Sequence, residues 1–402
     1  MTQIFCVFVF LEQNIGLRIK KIVLLSNMKE IGIYVHIPFC VEKCYYCNFI
    51  SFCKDEREHS RYVEHLLKEI EIYKLNDYIV TSIFIGGGTP SIIKANLIEK
   101  VIKKIKLKFS VSSNAEITIE VNPNSFDDSK AKAYKNCGIN RLSFGLQTAN
   151  NKILKLINRK HSKQDFLRAI KIAQNEGFDN INVDMLVGLP NQKMLDVKKT
   201  INLLLKLHIP HISCYSLILE EDTPLFKFVK QGKIKLPSEE KTLKMYDYVL
   251  KRLGKNKIFR YEVSNFAKKG YESQHNLKYW SNVDYLGLGL NSHSKLDKTR
   301  FSNALNLEDY YNLIEEKKKP VVEENVLTKN EEIEEYIFLS LRKREGLSFE
   351  NYYSRFGERL EQIRAKEINF LLKNNFIEIV GDNLRATDIG FNVLNEIILR
   401  LA

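Results

Sequence analysis

Six apolar, β-branched runs between Ile31 and Leu217 constrain the fold of this chain more than any other feature. They occupy residues 31–37, 82–86, 115–121, 141–146, 180–187 and 211–217. Longer polar segments with helical spacing, such as 55–76 and 94–108, lie between them. Six strand–helix units in succession predict an α/β domain with a parallel sheet, and six are too few to close an eight-fold barrel. We therefore predict a partial (β/α)6 barrel with a lateral opening and its chemistry at the C-terminal ends of the strands.

The strand–helix alternation ends after Pro237. Residues 238–254 predict a helix, whereas residues 258–301 are rich in aromatic residues, Gly and Asn without a clear period. The charged stretch 315–332 is typical of a linker or an exposed turn. The last part of the chain predicts helices and one strand pair, at 331–343, 348–355, 358–375, 376–387 (the strand pair) and 389–401. This order indicates a smaller, mainly α domain of winged-helix type.

These changes divide the chain into four parts. They are an extension (1–28), the partial barrel (29–236), a connecting region with candidate ligand contacts (237–320) and the C-terminal domain (321–402).

The extension contains a short apolar run at 4–11, and its positive charges follow this run, whereas in a signal peptide they precede it. Because Met28 stands just before the first strand, we interpret residues 1–27 as a mis-called start or a disordered extension. No run in the sequence reaches the roughly 18 apolar residues that a membrane span needs, so we expect a cytoplasmic protein.

The composition is that of a globular protein with an excess of basic residues. Of the 402 residues 44% are hydrophobic, which excludes a disordered chain, and 62 Lys and Arg face 49 Asp and Glu, giving a formal charge of +13. Such an excess permits contact with nucleic acid, anionic lipid or an acidic ligand, although a solvated lysine-rich surface is the simpler interpretation.

Three of the seven cysteines, Cys40, Cys44 and Cys47, follow the first predicted strand with the spacing CxxxCxxC. An odd number of cysteines in a long chain argues against a disulfide framework. Thiolates select zinc, copper or iron–sulfur clusters. A cubane cluster is normally held by four thiolates, so three would leave one iron open to a chelating ligand. The alternative is a structural zinc ion with His36 or Cys53 as the fourth ligand.

Polar and glycine-rich positions also occur at the ends of the later strands. Glycines at 86–88 let a ligand approach the backbone closely, and a guanidinium suits bidentate capture of a carboxylate. Asp184 lies among Val, Met and Leu, where an unpaired carboxylate is costly to bury, so a polar ligand is expected beside it. Glu120 ends its strand, where it is equally explained as a solvated rim residue.

The cysteine motif resembles the signature of the radical S-adenosylmethionine (SAM) superfamily. YVHIPFC at 34–40, followed by GGGTPS at 86–91, resembles more specifically its oxygen-independent coproporphyrinogen III oxidase-like family. The resemblance runs from about Ile31 to the C-terminus. It implies a [4Fe–4S] cluster on Cys40, Cys44 and Cys47, whose reduced form cleaves SAM to a 5′-deoxyadenosyl radical.

The same resemblance implies a SAM site and assigns no catalytic side chain. The glycine loop would contact the methionine amine, and Arg159 would pair with the methionine carboxylate. Two tyrosines match positions near the cluster and the adenine, although packing is the more common role of a tyrosine. The implied SAM residues are Tyr34, Tyr46, Gly87, Gly88, Thr89, Glu120, Gln147, Arg159 and Asp184.

Two departures separate the sequence from the oxidase itself. Phe49 stands where the oxidase pattern CxxxCxxCxC has its fourth cysteine, and the N-terminal extension does not resemble the polar arm of the oxidase. The segment 274–280 (QHNLKYW) instead resembles the HNxxYW signature of the heme-chaperone (HemW-like) branch. It implies heme contacts by His275, Asn276, Tyr279 and Trp280. The alternative is that His275 is a satisfied core residue.

The sequence therefore predicts a radical-SAM heme chaperone that binds heme and delivers it to apo-hemoproteins. Anaerobic decarboxylation of coproporphyrinogen III is the alternative. RNA modification is a weaker one, because the predicted helix 358–375 mixes acids with bases and forms no continuous basic face. A homodimer, and peripheral membrane contact through the acceptors, are left open by the sequence.

Overall fold

The strands of the predicted barrel stand side by side in chain order. The structure, a computed structural model, describes residues 28–402. Each of the first five strands pairs in parallel with the next, up to the sixth, which confirms the predicted partial barrel. They are β1 (Lys29–Ile37), β2 (Tyr78–Gly87), β3 (Val111–Val121), β4 (Arg141–Gln147), β5 (Ile181–Val187) and β6 (His211–Ser216).

Amphipathic helices connect these strands and cover the outer face of the sheet. Side-chain oxygens of Asp55, Asp127 and Ser162 accept backbone N–H groups at the helix starts, which satisfies donors that a helix cannot satisfy itself. Apolar residues at helical spacing, such as Leu66 and Ile70, are fully buried against the sheet. The helices are α1 (Glu56–Ile72), α2 (Ala95–Lys108), α3 (Asp128–Cys137), α4 (Asn151–Leu156), α5 (Lys163–Asn175), α6 (Met194–Lys206), α7 (Pro224–Lys230) and α8 (Glu239–Gly254).

The strands alternate between two kinds of surroundings. Along β1, Ile33 and Val35 are fully buried in the main hydrophobic core, whereas Tyr34 and His36, which alternate with them, contact polar and aromatic groups. Since successive side chains of a strand point to opposite faces, the inner face of the barrel carries the polar residues.

Residues 258–301, which show no period in the sequence, extend the sheet at both edges. On one side β7 (Phe259–Arg260) and β8 (Asn265–Ala267) continue from β6, and on the other β9 (Tyr285–Leu288) pairs in parallel with β1. The sheet then continues through β10 (His293–Leu296), β11 (Thr299–Asn303) and β12 (Val321–Val326) to twelve strands. Two further helices, α9 (Gln274–Trp280) and α10 (Leu307–Glu315), lie in this part of the chain.

The stretch 315–332, interpreted as a linker, thus contributes an edge strand. Residues 322–326 of β12 are exposed, so no buried alternation marks the strand in the sequence. The strands β7 to β11 have two to five residues each, which is too short for a period to emerge.

The C-terminal domain has a core of its own, which includes Ile337, Tyr352 and Leu371. Its helices surround a three-stranded antiparallel sheet, as the prediction of a small winged-helix-like domain requires. The predicted helix 358–375 is divided at Arg364 into two helices. The elements are α11 (Lys329–Ser340), β13 (Leu347–Ser348), α12 (Phe349–Phe356), α13 (Leu360–Ile363), α14 (Ala365–Lys373), β14 (Ile377–Val380), β15 (Asn383–Ala386) and α15 (Leu394–Leu401).

Within residues 28–402, no helix is both long enough and apolar enough to cross a bilayer. The apolar run at 4–11 and the interpretation of residues 1–27 lie outside the described residues.

Candidate functional site

The cysteine loop leaves the top of β1 and is tethered to its surroundings by backbone hydrogen bonds. The Cys40 N–H donates to the carbonyl of Phe52 at 3.0 Å, and the Tyr45 N–H donates to the carbonyl of Ile157 at 3.2 Å. The thiols of Cys40, Cys44 and Cys47 are free and partly exposed. The loop therefore presents three thiols at the C-terminal end of the barrel.

A cavity of about 190 Å³ lies below this loop and brings together almost all of the predicted cluster and SAM residues. It is lined by Cys40, Cys44, Cys47, Tyr46, Gly87, Gly88, Thr89, Glu120, Gln147, Arg159 and Asp184. Tyr34 is not among its lining residues. Positions far apart in the sequence thus meet at one place, as expected when they follow neighbouring parallel strands.

The glycine loop packs directly on the segment before the cysteines. The N–H groups of Gly88 and Thr89 donate to the carbonyls of Ile37 and Phe39 at 2.9 and 2.7 Å. Gly87 has a φ of +112°, and a Cβ on Gly88 would lie 2.6 Å from the carbonyl oxygen of Phe39. Only glycine fits this close approach, so the GGGTP sequence fixes the loop beside the thiols.

The carboxyls of Glu120 and Asp184 form no ion pair with Arg159, although Glu120 accepts the Gly87 N–H at 3.2 Å and Asp184 accepts from the Asn182 amide at 2.7 Å. Burial, and next the charge of Asp184, raise the pKa of Glu120 to about 8, and burial raises the pKa of Asp184 as well. The Arg159 guanidinium donates to the carbonyl of Gly145 at 2.6 Å and lies 3.6 Å from the Cys44 sulfur, while its buried Nε has no partner. Two carboxyls and one open guanidinium suit a ligand that carries both an amine and a carboxylate.

The end of β4 shows backbone strain at the cavity wall. Gln147 adopts a φ of +68° although it is not glycine, and it is buried. A non-glycine residue with positive φ persists where the surroundings require it, often at functional sites. Ser143 also lines the cavity and was not predicted, although the alternation Arg141–Ser143–Gly145 along β4 places it on the inner face.

Tyr34 belongs to an aromatic layer inside the barrel. Its ring stacks on Phe84 with centroids 6.2 Å apart, and its hydroxyl is 3.0 Å from Nδ1 of His36. Phe84 in turn stacks on His275, with centroids 5.4 Å apart. Phe84 therefore lies between Tyr34 and His275 of the predicted heme motif.

The short helix α9 carries that motif and is held by the inner face of the barrel. The Glu116 carboxylate on β3 accepts the N–H groups of Gln274 and His275, at 3.2 and 3.1 Å, and the Ser273 hydroxyl at 3.4 Å. The His275 ring is buried, with Nδ1 2.9 Å from the Ser82 hydroxyl. Its Nε2 lies 2.9 Å from the hydroxyl of Tyr279. Both imidazole nitrogens therefore have partners within the protein.

The four predicted heme residues do not share one surface. His275 and Tyr279 point into the barrel, whereas Trp280 lies toward the C-terminal domain, with the Arg342 guanidinium 6.0 Å from the centre of its ring. The indole N–H of Trp280 is buried beside the Glu262 carboxyl. In this arrangement the His275 ring is buried inside the protein, whereas Asn276 is partly exposed.

The cysteine loop is compatible with an iron–sulfur cluster. Burial raises the pKa values of Cys40 and Cys47, and a bound metal would offset this cost because metal coordination deprotonates thiols. Among the described residues, no three His, Cys, Asp or Glu side chains converge closely enough to hold a single metal ion. The candidate zinc ligand Cys53 is exposed, while His36 is buried with Nε2 unpaired.

Comparison with known proteins gives matches to both domains. Residues 34–204 match the Radical SAM superfamily, and residues 327–393 match the HemN C-terminal domain. The heme chaperone HemW of Lactococcus lactis is 34% identical over 364 residues, which cover 90% of this chain and 95% of that protein. The heme chaperone HemW of Bacillus subtilis is 35% identical, covering 90% and 97%.

A solved structure supports the fold. Coproporphyrinogen III oxidase (HemN) from Escherichia coli superimposes with a TM-score of 0.82 over 94% of this chain and 92% of that chain, at 22% identity. A likeness at this identity confirms the partial barrel with its helical C-terminal domain and carries no argument about the reaction.

Proposed function

Because the chain belongs to the heme chaperone HemW family of radical SAM proteins, we propose that it binds heme and delivers it to apo-hemoproteins in the cytoplasm. The observation that carries the proposal is identity of 34% across almost the whole length of a named heme chaperone. The intact HNLKYW helix and Phe49, in place of a fourth cysteine, also favour the chaperone over the oxidase.

The cavity supports the proposal that the protein holds a [4Fe–4S] cluster and SAM. Cys40, Cys44 and Cys47 would hold the cluster, which supplies one-electron chemistry when it is bound. Glu120 and Asp184 would accept the methionine amine, and Arg159 would donate to its carboxylate. The unpaired Nε of Arg159 and the raised pKa of Glu120 are what such a ligand would satisfy.

We propose that the two faces of α9 contribute to heme binding in different ways. Asn276 is partly exposed and can contact a ligand at the surface as it stands, whereas the indole N–H of Trp280 is buried. His275 and Tyr279 can reach heme only if the hydrogen bonds of His275 to Ser82 and Tyr279 open. Iron ligation by His275 would therefore require α9 to move out of the barrel.

An anaerobic heme titration of the cluster-reconstituted protein tests the function. We expect a stoichiometric Soret band, and transfer of this heme to an apo-hemoprotein faster than the acceptor takes up heme released from serum albumin. Absence of a specific Soret band would overturn the proposal. Turnover of coproporphyrinogen III with SAM would then be measured, because this decarboxylation is the alternative that the sequence leaves open.

A further inference from the structure

A second cavity, of about 730 Å³, opens between the barrel and the C-terminal domain. The end of β6 and the start of α8 form two of its sides, and Phe391 and Asn392 of the C-terminal domain close the third. We call it the seam cleft. Ligand sites occur preferentially at domain interfaces and beyond the carboxyl ends of parallel strands, and this cleft has both properties.

The seam cleft is lined by exposed apolar side chains together with polar ones, among them Glu239, Asn392 and Asn395. Ile218 is 71% exposed, Leu243 45% and Tyr215 40%. Tyr246 and Phe391 line the cleft beside them. Large apolar side chains grouped around a cavity of this size are typical of a site that an apolar ligand covers.

One cation lies among these side chains. The Arg260 side chain is only 6% exposed, and its guanidinium stacks 3.8 Å from the ring centre of Phe391. One of its terminal nitrogens donates to Asp388 at 3.0 Å, and the Tyr246 hydroxyl lies beside the guanidinium, while the buried Nε–H makes no hydrogen bond of good geometry. A buried donor without an acceptor is costly, so a carboxylate on a ligand would satisfy it.

The seam cleft adjoins both regions of the proposed site. Arg342 donates to Asn395 of the cleft at 3.3 Å and also lies near Trp280 on the outer face of α9. Tyr215 stands two residues beyond Ser213, which pairs with Asp184 in the β5–β6 register. A ligand in the cleft would therefore lie between the cavity below the cysteine loop and the predicted heme motif.

We propose that the seam cleft is the resting site of the heme, with the porphyrin face against Tyr215, Ile218 and Leu243 and a propionate accepting from Arg260. This inference rests on the proposed function and gives it a place in the fold. The ligand class is an apolar macrocycle with carboxylate arms, and Trp280 lies at the edge of its site.

Charge placed on the cleft wall tests the location. Ile218→Glu and Leu243→Glu change exposed positions, so both variants should fold, and each should weaken heme binding at least about tenfold. Leu107→Glu on α2, at a position 76% exposed and far from the cleft, is the matched control and should bind like the wild type.

The role of Arg260 is tested by removing the carboxylates of the ligand. Heme should bind the wild type about tenfold more tightly than its dimethyl ester, which lacks the carboxylates. In Arg260→Met this preference should disappear. Because both ligands are compared on the same variant, any general loss of stability affects them equally.

The outcomes separate the inference from the function on which it rests. If heme binding persists unchanged in Ile218→Glu and Leu243→Glu, the seam cleft is not the heme site. The chaperone proposal would still stand. An equal preference for heme and its ester in the wild type would remove Arg260 from the site. A wild type without heme binding would overturn the function itself.

Discussion

At the C-terminal end of the barrel, Arg159 leaves its Nε unpaired and Glu120 lies buried beside Asp184, whereas deeper inside the barrel the groups that hold α9 pair with one another, although Arg141 Nε and the Thr118 hydroxyl near them have no hydrogen-bond partner. There Glu116 accepts three hydrogen bonds from the start of α9, and both nitrogens of His275 have partners. The two regions share the inner face of one sheet. They differ in whether the polar groups of the site already have hydrogen-bond partners within the protein.

This difference distinguishes a region whose polar groups can bind a ligand from one whose polar groups stabilise the fold. Unpaired buried groups cost free energy, and a ligand that pairs them gains what the fold has lost. A histidine whose two ring nitrogens are both hydrogen-bonded can ligate iron only after one of these hydrogen bonds breaks. The heme motif as it stands is therefore first a means of attaching α9 to the barrel.

The largest expected effect is the loss of the cluster when one of the three clustered thiols is removed. Reconstituted wild type should contain about four irons per chain, and Cys47→Ser should retain less than one, because two thiolates cannot hold a cubane. Cys53→Ser is the matched control, since this thiol is exposed and close in the sequence. Iron and sulfide analysis with visible absorption measures both. Equal iron loss in Cys53→Ser would make Cys53 a ligand.

His275→Ala tests the region around α9, where the polar groups already have partners, and it should act mainly on stability. Removing the buried ring leaves Ser82 and Tyr279 without their partner and a gap beside Phe84, so the free energy of unfolding should fall by about 2–4 kcal/mol. His293→Ala, at an exposed position on β10, should change it by less than about 0.5 kcal/mol. Urea unfolding without heme gives both values. Unchanged stability in His275→Ala, together with lost heme binding, would make His275 a ligand rather than an anchor.

The residues of the cavity below the cysteine loop could be predicted largely from the sequence and its family resemblance, because the signals are local. The CxxxCxxC spacing, the glycine loop and the polar strand ends each occupy a few consecutive residues, and parallel strands bring such ends together. The positive φ of Gln147 and the position of Tyr34 outside the cavity depend on packing against other strands. A local sequence pattern does not predict such packing.

The attachment of α9 could not be predicted, because its partners are distant in the sequence. Glu116 lies 159 residues before His275, and Ser82 lies 193 residues before it. The short strands from β7 to β11 gave no period, so the region around the motif seemed irregular. The sequence therefore identified the motif but not the face that each of its residues presents.

The pH dependence of stability sharpens the comparison at the cavity below the cysteine loop. Burial and the nearby Asp184 raise the pKa of Glu120 from 4.5 to about 8 in the folded protein. Between these values the folded chain keeps a proton that the unfolded chain has released, so the free energy of unfolding decreases as pH rises, by up to about 1.4 kcal/mol per pH unit. Glu120→Gln cannot titrate, so it should lose this slope and gain stability relative to the wild type from pH 5 to pH 8.

Urea unfolding of the cluster-free protein at pH 5, 6, 7 and 8 measures the slope, with Glu334→Gln at an exposed position on α11 as the matched control. The control should run parallel to the wild type. Saturating SAM should reduce the wild-type slope, because an ammonium group beside Glu120 favours its charged form and lowers its pKa. If Glu120→Gln also runs parallel to the wild type, Glu120 is already ionised across this range. The cavity would then be a satisfied site like the one around His275, and the contrast between the two regions would fail.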